Sequence, residues 1–166
     1  EIQVRDDGVG MDEATLAALR EAKRAGCRVL SVVNVVGSTI ATESDDVLYT
    51  WAGPEISVAS TKAYSTQLAV IYLLALYIGE QLGKFTQEQL SAYIAALEKL
   101  PEQIDEMLKH KENIQFFASK YFNASDMYFI GRNVDYAASL EASLKLKEIS
   151  YIHSEAYAAG ELKHGP

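Results

Sequence analysis

One cysteine, three prolines, three histidines and one tryptophan among 166 residues leave several functional classes without their raw material. With Cys27 alone, no internal disulfide can form, and a reducing compartment is expected. Cys27 lies beside the strand-like run RVLSVVNV and reads as a buried core thiol rather than a nucleophile. Basic residues are outnumbered: the net charge of −8, with no basic run to offset it, argues against nucleic-acid binding, although local donors could still hold an anionic ligand. No long apolar run is present. Leu68 to Ile78 is much too short for a membrane span of about 20 residues and reads as a buried core or dimer helix. The first residues are polar and charged, unlike a signal peptide, so a cytoplasmic location is expected. What remains is ordinary globular material: 49% hydrophobic and 23% charged residues, enough for one domain or two small ones.

The pattern along the chain alternates strands and helices. Glu1 to Arg5 reads as a strand, and Asp12 to Ala25 as a helix with apolar spacing at Leu16, Leu19 and Ala22. Arg28 to Val35 is a near-continuous apolar run that predicts a buried strand of a parallel sheet. Gly37 and Ser38 turn the chain towards a further strand at Val47 to Trp51. A loop then leads to a long helix over about Ser60 to Gln81, whose first turn Ser60 and Thr61 are expected to cap. Thr86 to Lys109 is helical with a bend at Pro101, Asn113 to Tyr121 is a helix, Met127 to Ile130 a strand and Asp135 to Ser150 a final helix. This order predicts a doubly wound α/β sheet with ligands at the carboxyl ends of its strands.

Chemistry concentrates in the last 27 residues, LEASLKLKEISYIHSEAYAAGELKHGP. Leu140, Leu144, Leu146 and Ile149 supply an apolar side, while Glu141, Lys145 and Glu148 share another face at i, i+4 and i+7. Two carboxylates around an ammonium can hold a base and a cation near one carbon atom, yet on spacing alone a solvated charge ladder is the plainer reading. The segment after the helix reads as irregular and ends in Lys163, His164, Gly165 and Pro166, residue types that suit a loop where backbone approaches a ligand.

The string LKLKEISYIHSEAYAAGELKHGP resembles the isomerase half of the glutamine–fructose-6-phosphate aminotransferase (glucosamine-6-phosphate synthase) family, and so do TLAALREAKRAGCRVLSVVNVVGS, SDDVLYTWAGPEISVASTKAYSTQLAV and FIGRNVDYAASLEASLKLKE. The blocks stand in the family's order over about Ala14 to Pro166. The resemblance implies two flavodoxin-like sugar-isomerase (SIS) domains, each a three-layer α/β sandwich around a parallel sheet and each truncated: residues 1–83, connecting helices 84–124, and residues 125–166. It implies fructose 6-phosphate or glucosamine 6-phosphate as ligand, a homodimer, a glutaminase domain in the full enzyme, and neither metal nor cofactor.

Residue by residue, Glu148 matches the family's base that moves a proton between C1 and C2 of the sugar, work for which burial of a glutamate is well suited. Lys145 matches a lysine of the same site, and His164 the histidine that assists ring opening from the neighbouring subunit. His153 and His110 have no such context and read as structural. Val58 and Ser60 match substrate-contacting positions, whereas Lys62 reads as a solvated or packing lysine.

The front of the chain departs from the pattern. Where the family places S-Q-S-G-E-T around the sugar phosphate, this chain has Asp7, Gly8, Val9, Gly10, Met11 and Asp12, so only Gly10 survives. A carboxylate about 4 Å from a phosphate charge costs roughly 4 kcal/mol at an effective dielectric near 20, so this loop is expected to bind phosphate poorly. EIQVRDDGVGMD also resembles the adenine-contacting box of the histidine-kinase, gyrase and Hsp90 ATPases, without the companion motifs, and a chimera with such a segment is one alternative. The other is a sugar-phosphate-binding SIS module without chemistry; Glu148, Lys145 and His164 together speak against it, since binding alone needs no proton-transfer base. The chain has no N-terminal cysteine nucleophile and no counterpart of the family's Schiff-base lysine, and Lys163 is not assigned that role, so by itself it is expected to be inactive.

Overall fold

The computed structural model describes the backbone of Ile2–Val4 and the residues from Glu13 to Gly165. The loop carrying Asp7, Val9, Gly10 and Asp12 lies outside the described residues. The chain forms two compact units, Glu1–Leu100 and Pro101–Pro166.

The first unit is built on three parallel strands in the order β1 (Ile2–Val4), β2 (Leu30–Val33) and β3 (Asp46–Tyr49). The central strand is covered on both faces, which is why its sequence is apolar without alternation. Val29 and Val33 pack with Leu19 and Ala22 of α1 (Glu13–Arg24) and Ile40 of α2 (Thr39–Glu43), while Val32, on the opposite face, is also fully buried. The apolar spacing expected for α1 therefore selects the core face. Its end is set by Gly26, which adopts φ +77° and closes a pair of terminal bonds, Gly26 N–H to the Lys23 carbonyl and Cys27 N–H to the Ala22 carbonyl, both 3.0 Å. That turn carries Cys27 out of the core. The expected buried thiol is exposed, because its position belongs to the helix cap rather than to the strand that follows.

α3 (Lys62–Gln81) and α4 (Gln87–Glu98) complete the first unit. The apolar stretch Leu68 to Ile78 is not a buried core helix within this chain: Tyr72, Leu73, Tyr77 and Ile78 are exposed, and the buried positions of α3 are Ala63 and Gly79. A helix apolar on every side exceeds the single face that this unit covers. The expected bend at Pro101 takes the form of a break at Lys99 between α4 and α5 (Leu100–Leu108). Among the described residues no helix is long and apolar enough to cross a membrane.

In the second unit, α6 (Lys111–Tyr121) precedes β4 (Asp126–Gly131), α7 (Val134–Ser150) and β5 (His153–Ala158). β5 stands where an irregular segment is expected. Its residues, HSEAYA, carry no β-branched side chain, but all six pair in parallel with β4, from Asp126 opposite His153 to Gly131 opposite Ala158. The unit is stitched by a buried hydrogen bond from the Ser154 hydroxyl of β5 to the Ser143 hydroxyl of α7, 3.0 Å. A Cβ on Gly131 would lie 2.2 Å from the Asp135 carbonyl oxygen, so the close turn from β4 into α7 requires glycine.

Candidate functional site

α7 places its charged residues as the local spacing predicts. The Lys145 Nζ donates to Glu148 Oε2 at 2.7 Å and lies 3.5 Å from Glu141 Oε1. This is no solvated ladder: the Lys145, Glu141 and Glu148 side chains are 19%, 24% and 29% exposed. Burial pulls the Lys145 ammonium down, but the Glu148 hydrogen bond and the charges of Glu141 and Glu148 outweigh it and hold the group above its ordinary value. The cation is thus permanent at neutral pH. It fixes one oxygen of Glu148 and leaves Oε1 without a partner among the described residues. A carboxylate held in this way can take up or deliver a proton at a neighbouring atom.

His164 closes the 3-10 turn η1 (Leu162–His164) and is exposed. Its backbone N–H donates to the Glu161 carbonyl at 2.9 Å, and its ring has no hydrogen-bond or ion-pair partner among the described residues. The structure therefore brings Lys145 and Glu148 together, and does not join His164 to them by a direct bond. His153, read as structural, has Nδ1 3.0 Å from Asp126 Oδ1 across the β4–β5 pair.

In the first unit, the segment from Thr50 to Lys62 runs from the carboxyl end of β3 into α3. Val58 is 92% exposed and Ser60 half-buried. Ser60 and Thr61 do not cap α3 as expected. Thr61, at the cap position, makes no side-chain cap bond, and the Ser60 hydroxyl donates instead to Glu55 Oε2 at 2.6 Å. A charged acceptor within the loop competes successfully with the helix N–H groups for that hydroxyl. The Ser60 bond, above all, holds the Glu55 carboxyl below its ordinary range. Lys62 is exposed, as a solvated lysine would be, and its Nζ also donates to the Pro54 carbonyl at 2.6 Å.

Asn34 falls within the strand expected over Arg28 to Val35, but lies just past β2. Its Oδ1 accepts from the Ala52 N–H at 2.8 Å and the Thr50 hydroxyl at 3.1 Å, and its Nδ2 donates to the Gly53 carbonyl at 2.7 Å. The signal that could have found it is a lone amide terminating the run VLSVV, at a strand end where polar side chains face loops. Among the described residues no group of three or more His, Cys, Asp or Glu side chains is placed to hold a metal ion.

The SIS domain model matches residues 9–77 and 120–166, well over half of the chain. The chain belongs to the SIS domain family. A glutamine–fructose-6-phosphate aminotransferase of Caldanaerobacter subterraneus is 58% identical over 91% of this SIS chain, and one of Symbiobacterium thermophilum 59% identical over 92%. The chain spans about a quarter of the length of these relatives, 25% of each. The C-terminal domain of a glucosamine-fructose-6-phosphate aminotransferase from Francisella tularensis superposes on 99% of the chain with a TM-score of 0.93 at 37% identity, and the match covers 47% of that domain. The α/β SIS fold with short parallel sheets is thereby shown.

Proposed function

We propose that this SIS chain is the sugar-phosphate-binding and isomerising part of a glucosamine-6-phosphate synthase, converting fructose 6-phosphate to glucosamine 6-phosphate with nitrogen that a glutaminase domain releases from glutamine. The carrying observation is the Glu148 carboxylate, held half-buried against Lys145 at 2.7 Å with its second oxygen unengaged. Glu148 moves the proton between C1 and C2 of the open-chain sugar. Lys145 fixes the carboxylate and supplies positive charge beside the oxygen on which negative charge develops. His164, on its exposed turn, assists ring opening in the site of a second subunit of a homodimer. Val58 and Ser60 contact the sugar, and Gly10 retains one position of the phosphate loop.

On this reading residues 1–83 belong to one SIS domain, 84–124 are connecting helices and 125–166 open a second SIS domain, each a three-layer sandwich in the whole cytoplasmic enzyme. The parallel pairing of both sheets and the high identity to aminotransferases support it. A purely binding module would not need a carboxylate and an ammonium paired in this way.

The test is Glu148→Gln in a full-length aminotransferase carrying this segment. The amide keeps the shape and removes the base. Isomerisation should fall by about 100-fold or more, while fructose 6-phosphate binding stays nearly unchanged. Near-normal turnover would return the carboxylate to a structural role.

A further inference from the structure

We infer that Asn34 is a positioning residue for sugar binding: its amide clamps the Thr50–Gly53 corner and so sets the course of the loop that presents Val58 and Ser60. The inference rests on the proposed sugar-binding role of that loop and extends it to a residue that touches no sugar.

Three observations carry it. The first is the completeness of the clamp. Every bond of the amide described above goes to the loop after β3 and none to its own strand, so its energy is spent on holding one segment against another. The second is what the clamp encloses. Its bonds to the Ala52 N–H and Gly53 carbonyl follow directly on Trp51, a non-glycine residue at φ +53° that is 76% exposed. That indole stays largely exposed and meets the sheet through a tilted contact with the Tyr49 ring, 5.6 Å between centroids, so the left-handed turn beneath it draws on the Asn34 bonds as well. The third is how the rest of the loop is held. Beyond Gly53 the side-chain bonds among the described residues tie the segment to itself and to the start of α3, through Glu55 to Ser60 and Lys62 to the Pro54 carbonyl. Among the bonds described for the loop side chains, Asn34 is therefore the link that refers this segment to the sheet. Without it the internal ties survive and the Thr50 N–H still donates to the Val33 carbonyl at 2.9 Å, but the Ala52 and Gly53 bonds that carry that reference into the loop are lost, and presentation of Val58 and Ser60 becomes an ordering cost at the moment of binding.

The experiment uses the chain itself, with two readouts on Asn34→Ala and on Thr50→Val. Hydrogen exchange should accelerate at least tenfold at the Ala52 amide in Asn34→Ala, with the amides of β2 and α1 unchanged. Fructose 6-phosphate, titrated by NMR, should bind about tenfold more weakly to Asn34→Ala. Thr50→Val removes one bond of the three, leaves the Ala52 and Gly53 bonds in place, and should show a smaller change in both. Loosened exchange with unaltered sugar affinity would overturn the inference and leave the proposed function standing. Unaltered exchange would show that the clamp does not hold the loop. If the parent chain, with its altered front loop, binds no fructose 6-phosphate, the affinity readout moves to the same variants in a full-length aminotransferase carrying this segment, where unaltered affinity in Asn34→Ala overturns the inference and leaves the proposed function standing.

Discussion

Asn133, at the entry to α7, holds φ 53° and ψ −120°, a combination that a Cβ opposes and glycine adopts freely. Its side chain makes no cap bond there, whereas its carbonyl accepts from the Tyr136 N–H at 3.1 Å, an interaction that any residue retains. Such strain costs on the order of 1–3 kcal/mol, against which glycine adds entropy to the unfolded chain worth roughly 0.4–1 kcal/mol. Asn133→Gly should therefore stabilise the chain by about 1 kcal/mol. In urea unfolding this would be read as a higher midpoint at unchanged slope. An unmoved or lowered midpoint would show that no strain is stored at this turn. The strained backbone at Asn133 was invisible in the sequence, because asparagine serves equally as an ordinary cap. The pairing of Lys145 with Glu148 was readable, since i,i+3 spacing on a helix fixes proximity locally. Their burial was not, for it depends on what covers that face. His164 is a candidate only through the resemblance of its surrounding string, and no local pattern assigns it a role.

Helices in this chain are held by different forces, and the difference is measurable. α1 stands on Leu19, fully buried between β2 and α2. Leu19→Ala should cost about 2–5 kcal/mol, from lost transfer energy and a cavity that the close-packed neighbours cannot fill. α4, whose one buried residue is Leu90, starts on a reciprocal box in which Thr86 Oγ1 accepts from the Gln89 N–H at 3.2 Å and the Gln89 side chain accepts from the Thr86 N–H at 2.9 Å. Thr86→Ala should cost only about 1 kcal/mol, the usual worth of an N-cap. Both are read from unfolding midpoints, and equal costs would contradict this division. The same contrast explains which elements the sequence revealed. β2 and β4 carry apolar and β-branched or aromatic residues whose own pattern marks a strand. β5 is a strand because β4 supplies its ladder and Ser143 receives Ser154, neither of which HSEAYA announces. The start of α3 misled for a related reason: Ser60 is a competent cap by type, but Glu55 captures its hydroxyl from five residues away.

At the level of the whole molecule, the response to pH follows from where its carboxylates and bases find partners. Glu43 is held below its ordinary range first by the hydrogen bond from Arg20, Asp45 first by the Val29 N–H and then by Lys23, and Asp126 first by Ser125 and then by His153. A carboxyl whose folded value lies below its unfolded value contributes stability above the unfolded value, near pH 4, and loses it as the pH falls further through the folded value. On the alkaline side the signs reverse. Lys145 lies above its ordinary value, and the hydrogen bond to Glu155 pushes Tyr157 up to about 12. Each contributes fully below its unfolded value and loses that contribution as the pH rises through the folded one. Stability should therefore be level between about pH 5 and pH 9, and fall on both sides. The acid limb should involve both units, since Glu43 and Asp45 lie in one and Asp126 in the other. Asp45 and Asp126 are exposed and Glu43 is half-buried, so the acid limb should flatten in 1 M salt, where the screening length shrinks to about 3 Å. Asp45→Asn keeps an acceptor for the Val29 N–H but has no charge to titrate, and should lower stability at pH 7 while making the decline below pH 4 shallower. Chemical-denaturation midpoints measured across the pH range decide it: an acid limb equally steep in Asp45→Asn and in the parent chain would remove Asp45 from the acid response.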